Sequence, residues 1–424
     1  MITPNTKSPR IFFGWWVIFG GLVGMGLNTA LNYHGLNVFV RPLADGFGVS
    51  VAAIAALISF GRIEGAFFGP IEGYLVDKLG PRTLMFVGIP LMGLGFILAS
   101  FAPNFPIFCV IFLIGINLGS SIGLMSSITT AVANWWHRHR GRAFGVMWLG
   151  LSIGAATVPL TNALTESLGW RGAFRIMGLA VMIIGLPIAT LMRHKPEQYG
   201  MLPDGDPPTN PTKESSTSIT TQTAPPELTV WEAIKTSAFW YFAIAVSIRI
   251  GVTSAVGINS FLLVESLGGT TAQAGSLFVI HGICSAPGRL FLSWAGDVIN
   301  KSLIMAGSLV LLGICLLFIA RATSFNELII FWVPFALAWG GLSSLPQSLR
   351  ADLFGREHYA TIQGAMSPIH SAFTLVTPIM AAWMFESYGS YELPFTILAI
   401  SAFFGGFLIL LAKPPVKPPE TPKL

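Results

Sequence analysis

The sequence predicts an all-α membrane protein with twelve transmembrane helices in two parallel six-helix repeats. Three observations lead there. Of the 424 residues, 53% are hydrophobic and only 10% charged, where a soluble domain carries about 25% charged residues. Twelve apolar runs are each long enough, at roughly 20 residues, to cross a bilayer core. Markers in the first half also recur in the second at nearly one spacing.

The first six spans are expected at 14–39, 50–75, 83–101, 106–132, 142–163 and 172–192. Lys7 and Arg10 precede the first run, as in a signal peptide. The run continues past signal-peptide length with no small-x-small cleavage site, so a retained span is expected. Spans 7 to 12 are expected at 238–264, 272–295, 302–320, 327–349, 360–384 and 391–412. Between the sets, a polar stretch rich in Pro, Ser and Thr reads as a flexible linker. The chain thus divides into a bundle at 1–192, a linker at 193–237 and a second bundle at 238–424.

Basic residues orient the chain. With both termini and the linker in the cytoplasm, 17 of the 24 Lys and Arg residues fall on that side and four on the other. Arg62, Arg249 and Arg289 lie within spans. This positive-inside bias predicts a multi-pass protein of the plasma (inner) membrane. It also accounts for the formal charge of +5 without nucleic acid. "HRHR" at 137–140 belongs to the same topogenic cluster. Cys109, Cys284 and Cys315 all sit in apolar runs and have no metal-ligand spacing. There is no Gly-rich phosphate loop. Neither a cofactor, a metal nor an enzymatic activity is expected.

The repeat lays "GPIEGYLVDKLGPR" (69–82) on "GRLFLSWAGDVINK" (288–301), with Asp77 on Asp297 at an offset of 220. "ANWWHRHRGRAFGV" lies on "ADLFGREHYATIQGA" at 218 to 219, and Pro159 on Pro378 at 219. Parallel halves around a central site are a recurring transporter design.

At these residues the chain resembles the major facilitator superfamily. "GYLVDKLGPR" is similar to its loop between spans 2 and 3, with Gly73, Asp77, Gly80 and Arg82 in the matching places. The resemblance implies that Asp77 and Arg82 are gating residues at the cytoplasmic face, with Asp297 and Lys301 a weaker second copy. "FFGWWVIFGG" and the span-8 arginine resemble the monocarboxylate porter and oxalate/formate exchanger branches. That implies Arg289 as the group that holds a substrate carboxylate. His34 takes the place of the porters' coupling lysine, and Ser285 stands where they carry an aspartate. The exchangers' span-11 lysine has no counterpart here beyond His370.

The in-span polar residues can be read on their own chemistry. Gly282, Ser285, Ser293 and Gly296 lie within about 40° of Arg289 on a helix, a small polar stripe fit for a cavity wall. A planar guanidinium can match both oxygens of a carboxylate. Arg249, in mid-span 7, would add to an anion site or pair with an acid. Arg62 and Glu64 point about 160° apart, so each needs its own partner: an inter-helix network or a proton role. Asn28, Asn32 and Tyr33 in span 1 and Asn117, Ser120 and Ser121 in span 4 either line the cavity or hold helices together. His34 titrates near physiological pH and could carry a proton, or be a satisfied hydrogen-bonding group.

These readings together predict a secondary transporter of small organic anions, a monocarboxylate above all, working by proton-coupled alternating access as a monomer in the bilayer. Arg289, Arg249, Asn28, Asn32, Tyr33, Asn117 and Ser285 are the binding candidates, and His34, Glu64 and Arg62 the proton-coupling ones. Two alternatives stay open: an anion exchanger without proton coupling, and a non-transporting membrane sensor.

Overall fold

The runs must fold as helices, because hydrocarbon offers no partner to a backbone N–H or C=O outside its own segment. The computed structural model describes residues 12–33, 35–206 and 227–415. Among them are eleven apolar helical runs: Gly14–Phe47, Val51–Leu79, Pro81–Ala99, Phe105–Trp135, Arg140–Leu191, Ser237–Ser266, Ala272–Val298, Lys301–Ile319, Phe325–Phe354, Tyr359–Tyr388 and Glu392–Leu411. The fifth holds 52 residues, about 78 Å of helix at 1.5 Å per residue, far more than a core of about 30 Å. It is broken in the middle at Gly169, where φ is 68°, a left-handed value that glycine adopts without a Cβ clash. It therefore makes spans 5 and 6, and twelve crossings result.

Span 1 is longer than expected. It passes through a π turn at Thr29–Tyr33 and a 3-10 turn at Gly35–Phe39 before a last helical segment, Val40–Phe47. Span 4 also carries π turns, at Ile111–Asn117 and Ser121–Ser126. Such turns often mark functional positions, and here they fall at the polar residues.

Two large cores form. One draws on residues between Val17 and Met192, joined by Ala351 and Tyr359; the other lies between Leu228 and Ala412. Two seams cross between the halves, and the repeat relates them. In one, span 2 lies on span 11: a Cβ at Gly73 would meet the Ala360 carbonyl oxygen at 2.2 Å, and one at Gly364 would meet that of Gly69 at 2.1 Å. In the other, span 8 lies on span 5: a Cβ at Gly141 would meet the Ser293 carbonyl oxygen at 2.2 Å, and one at Gly145 that of Arg289 at 2.8 Å. Glycine allows this backbone approach, the usual way helices pack in lipid.

The described ends of the linker are not loose. Asp204 accepts hydrogen bonds from the backbone N–H groups of His137, Arg138 and His139, and Glu227 from those of Arg356 and Glu357. These two loops are repeat equivalents. Arg193 stacks on the Phe13 and Tyr199 rings at 3.8 and 4.3 Å. Carboxylates satisfying open loop amides thus pin the described ends of the linker.

Candidate functional site

Arg289 sits in the second seam at the place where Gly69 sits in the first. It is 3% exposed. Its Nη1 donates to Ser152 Oγ of span 5 at 2.6 Å and its Nε to Ser343 Oγ of span 10 at 3.2 Å. Its side chain thus joins the two halves. Among the described residues no carboxylate lies within ion-pair distance of it. A guanidinium has five donors, and two neutral hydroxyls leave most of that capacity, and all of the charge, uncompensated.

The stripe around Arg289 departs from expectation. Ser293 Oγ bonds Ser344 Oγ, and a Cβ at Gly296 would meet the Leu345 side chain at 2.8 Å. Ser285, a binding candidate, is 1% exposed and turns its Oγ onto the Gly282 carbonyl of its own helix. Its carbonyl oxygen would lie 2.0 Å from a Cβ at Gly340. These small residues serve close packing on span 10 rather than line a cavity. Of the two glycines in this stripe, Gly282 is the open one: a Cβ built there meets nothing within 4 Å.

In the first half, Asn32 Nδ2 donates to Ser120 Oγ at 2.9 Å, and Ser120 Oγ donates to Asn28 Oδ1 at 2.7 Å. This chain binds span 1 to span 4 at their π turns. Asn117 presses on span 2, where a Cβ at Gly61 would collide with its Nδ2; that nitrogen is buried with no hydrogen-bond partner. Arg249 lies on span 7 one turn before Thr253, whose Oγ1 donates to the Arg249 carbonyl. Beside it, Thr377 of span 11 donates to the Gly251 carbonyl at 2.8 Å. Arg249 and Arg289 stand on different helices, spans 7 and 8. His34 lies outside the described residues, as do the side chains of Tyr33, Arg62 and Glu64.

The two expected gating aspartates each bind backbone amides across a seam, and Asp297 adds ion pairs to Arg142 at 3.8 Å and Lys301 at 3.9 Å. Asp77 accepts from the N–H groups of Ala360 (3.1 Å) and Thr361 (2.7 Å) and from Thr361 Oγ1 (2.6 Å). Asp297 accepts from the N–H groups of Gly141 (2.7 Å) and Arg142 (2.9 Å). Each aspartate caps the first turn of a span in the opposite half. Neither capped helix has a side-chain cap of its own at His139 or His358, so a carboxylate from across the seam satisfies amides that would otherwise be orphaned. Arg82 takes no part in this: it is exposed, 5.9 Å over the Phe86 ring. Lys301 stands 3.9 Å from Asp297 and bonds Asp352 at 2.6 Å.

Sequence reasoning missed three partners here. Asp352 takes Arg140, which is fully buried, at 3.0 Å. Arg356 donates to the Asn134 carbonyl across the seam at 3.0 Å and pairs with Glu197 of the linker. Ser152 left one usable signal, as the lone hydroxyl between 140 and 155. All these ties between halves, apart from that of Arg289, lie at the end of the bundle carrying the linker. At the opposite end the polar ties among the described residues stay within one half, as with Arg171 on the Ser100 and Ala102 carbonyls and Arg321 on Glu392. The molecule is clasped at the linker end.

Comparison with known proteins agrees with this architecture. The family model described as Major Facilitator Superfamily matches residues 12–263 and 241–424. The chain belongs to the Major Facilitator Superfamily. Among curated relatives, monocarboxylate transporter 2 of Mus musculus is 23% identical over 92% of this chain and 81% of its own length. The oxalate:formate antiporter of Oxalobacter formigenes is 24% identical over 95% and 93%. Among solved structures, the human organic anion transporter MFSD10 (TETRAN) superposes with a TM-score of 0.70 at 16% identity, over 95% of this chain and all of its own. This facilitator chain is a multi-pass membrane transporter rather than an enzyme, with the all-α fold of its family.

Proposed function

We propose that this facilitator protein carries a small organic anion, a monocarboxylate above all, by proton-coupled alternating access. One observation carries the reading: Arg289 is a buried, permanent cation at the seam between halves, held by two neutral hydroxyls. A lone charge at membrane depth costs several kcal/mol and marks a functional site by default. A carboxylate can take the guanidinium through two parallel N–H···O bonds. The relatives named above, transporters of monocarboxylates and an oxalate:formate antiporter, support an anion of this kind.

The mechanism follows from where the bonds lie. Ser152 belongs to one half and Ser343 to the other, so Arg289 is itself a tie across the seam. An arriving carboxylate competes with Ser152 for Nη1, loosens that tie and neutralises the charge. The ties at the linker end, namely the amide caps at Asp77 and Asp297, the Arg140–Asp352 pair and the Arg356 bond to the Asn134 carbonyl, then hold the halves together. Their release lets the halves, 1–192 and 238–424, rock about the site and open the linker end. We place that end and both termini in the cytoplasm of the plasma (inner) membrane, with the monomer as the working unit. His34, Glu64 and Arg62 remain our proton-coupling candidates from span 1 and span 2, and Asn28, Asn32 and Asn117 shape the first-half wall.

Exchange of two anions is a second reading, favoured by the permanent charge of Arg289 and Arg249 and by the antiporter relative. Uptake of short carboxylates into liposomes, with and without an inward proton gradient, separates the two. Gradient-driven accumulation supports symport. Uptake that ignores the gradient and accelerates with internal anion refutes it.

A further inference from the structure

One buried acid has no part in the mechanism above. Glu72, in span 2 between the two seam glycines Gly69 and Gly73, is 3% exposed. Its Oε2 takes the Ser121 hydroxyl of span 4, and its Oε1 is buried with no hydrogen-bond partner. An ionised carboxylate has about four acceptor sites to fill, and one hydroxyl fills one of them.

Among the described residues no charge facing Glu72 compensates. Span 4 has no ionisable group but Cys109, far toward its other end, and span 3 has only Arg82, exposed at its start. Span 11 offers Tyr359 at its first turn, then His370 and Glu386 further on. Glu72's own helix offers Asp77, engaged with span 11, and Lys78, exposed and bonded to Tyr74; Arg62 and Glu64 stand about 15 and about 12 Å back along it. Among the described residues no cation makes an ion pair with Glu72. A buried, unpaired carboxyl in such a place takes up a proton rather than hold its charge.

Its position gives that proton a use. At 100° per residue, Gly69 and Gly73 lie about 60° and about 100° around the helix from Glu72, on the same side. The wall that keeps water from Glu72 therefore borders span 11, which belongs to the other half. Ser121 belongs to the same half as Glu72 and stays with it when the halves part.

We propose that Glu72 is a proton-binding site loaded when the linker end closes and emptied when that end opens. The inference rests on the alternating-access reading but not on the identity of the anion. Its sign is fixed: protonation belongs to the closed state, so acid on the linker side favours closure. One linked proton changes the closed-to-open ratio by at most tenfold per pH unit.

The test uses the full-length protein in lipid nanodiscs, without substrate. Infrared spectra near neutral pH should show a protonated-carboxyl band that Glu72→Gln removes. Spin labels at Thr83→Cys and Glu357→Cys, both exposed and in a background without the native cysteines, report the linker-end separation. Between about pH 5 and about pH 8 the wild-type closed fraction should fall as pH rises. Glu72→Gln, which mimics the protonated form, should stay closed throughout. A band that survives Glu72→Gln overturns the proposal, and so does a variant that keeps the wild-type pH response. Labels that never respond to pH while the band is present overturn the switch, and leave the anion reading to its uptake assay.

Discussion

Asp77→Ala should open the linker end. The substitution removes the acceptor of two backbone amides and one hydroxyl, at 2.6 to 3.1 Å, in the first turn of span 11. Loss of a helix cap costs roughly 0.5–2 kcal/mol, and hydrogen bonds to a charged group contribute about 1.5–3 kcal/mol. Some of this is returned, since water can reach the freed amides once the end opens. A net loss of about 2 kcal/mol from the closed state is a reasonable figure, or about 30-fold in the closed-to-open ratio. The same change at Asp297 breaks the repeat-equivalent cap on Gly141 and Arg142 and should cost a similar amount. If the seams act independently, the double variant should shift the ratio by about 1,000-fold. Distances between labels at Thr83 and Glu357, measured in nanodiscs, read the populations directly. The reasoning is refuted if both single variants keep the wild-type distribution, because the caps would then contribute nothing to closure.

Two further perturbations test the seam. Gly73→Leu places its Cβ 2.2 Å from the Ala360 carbonyl oxygen, so it should hold the linker end apart; bimolecular labelling of a cysteine at Ser367 should accelerate, and an unchanged rate would mean that span 2 can yield. Asp352→Asn leaves the fully buried Arg140 without its carboxylate. Breaking a fully buried pair from one side costs about 3 kcal/mol or more, and Asp352 is 33% exposed. The melting temperature in detergent should therefore fall by a few degrees, whereas an unaltered melt would show that the Ala133 carbonyl, which accepts from Arg140 Nε at 3.3 Å, suffices for Arg140.

Much of this architecture is legible in the sequence, because bilayer thickness sets run length and backbone satisfaction dictates helix. The Asp77–Asp297 register is legible too, since the repeat preserves it at one offset. The partners of those aspartates across the seam are not, because most are main-chain amides and any residue supplies one; Ala360 and Gly141 carry no signature. Arg82 reads as a gate from its motif, yet nothing in the described structure bonds it, since Asp77 reaches the helix end by itself. The stripe through Ser285, Ser293 and Gly296 misleads for a physical reason. Small, weakly polar residues suit both a water-lined wall and the closest helix contact, and helical spacing is identical in the two. Ser152, which completes the Arg289 bridge, lies 137 positions away in sequence, a distance no periodicity argument spans.

The central claim is that Arg289 is the anion's docking point. Its most direct test is equilibrium binding of short monocarboxylates to purified wild type and to Arg289→Gln, with the melting temperature of each recorded to show that both fold. Saturable binding to the wild type and its loss in a folded Arg289→Gln is the result this account predicts. Undiminished binding to Arg289→Gln would contradict it and move the site elsewhere in the seam.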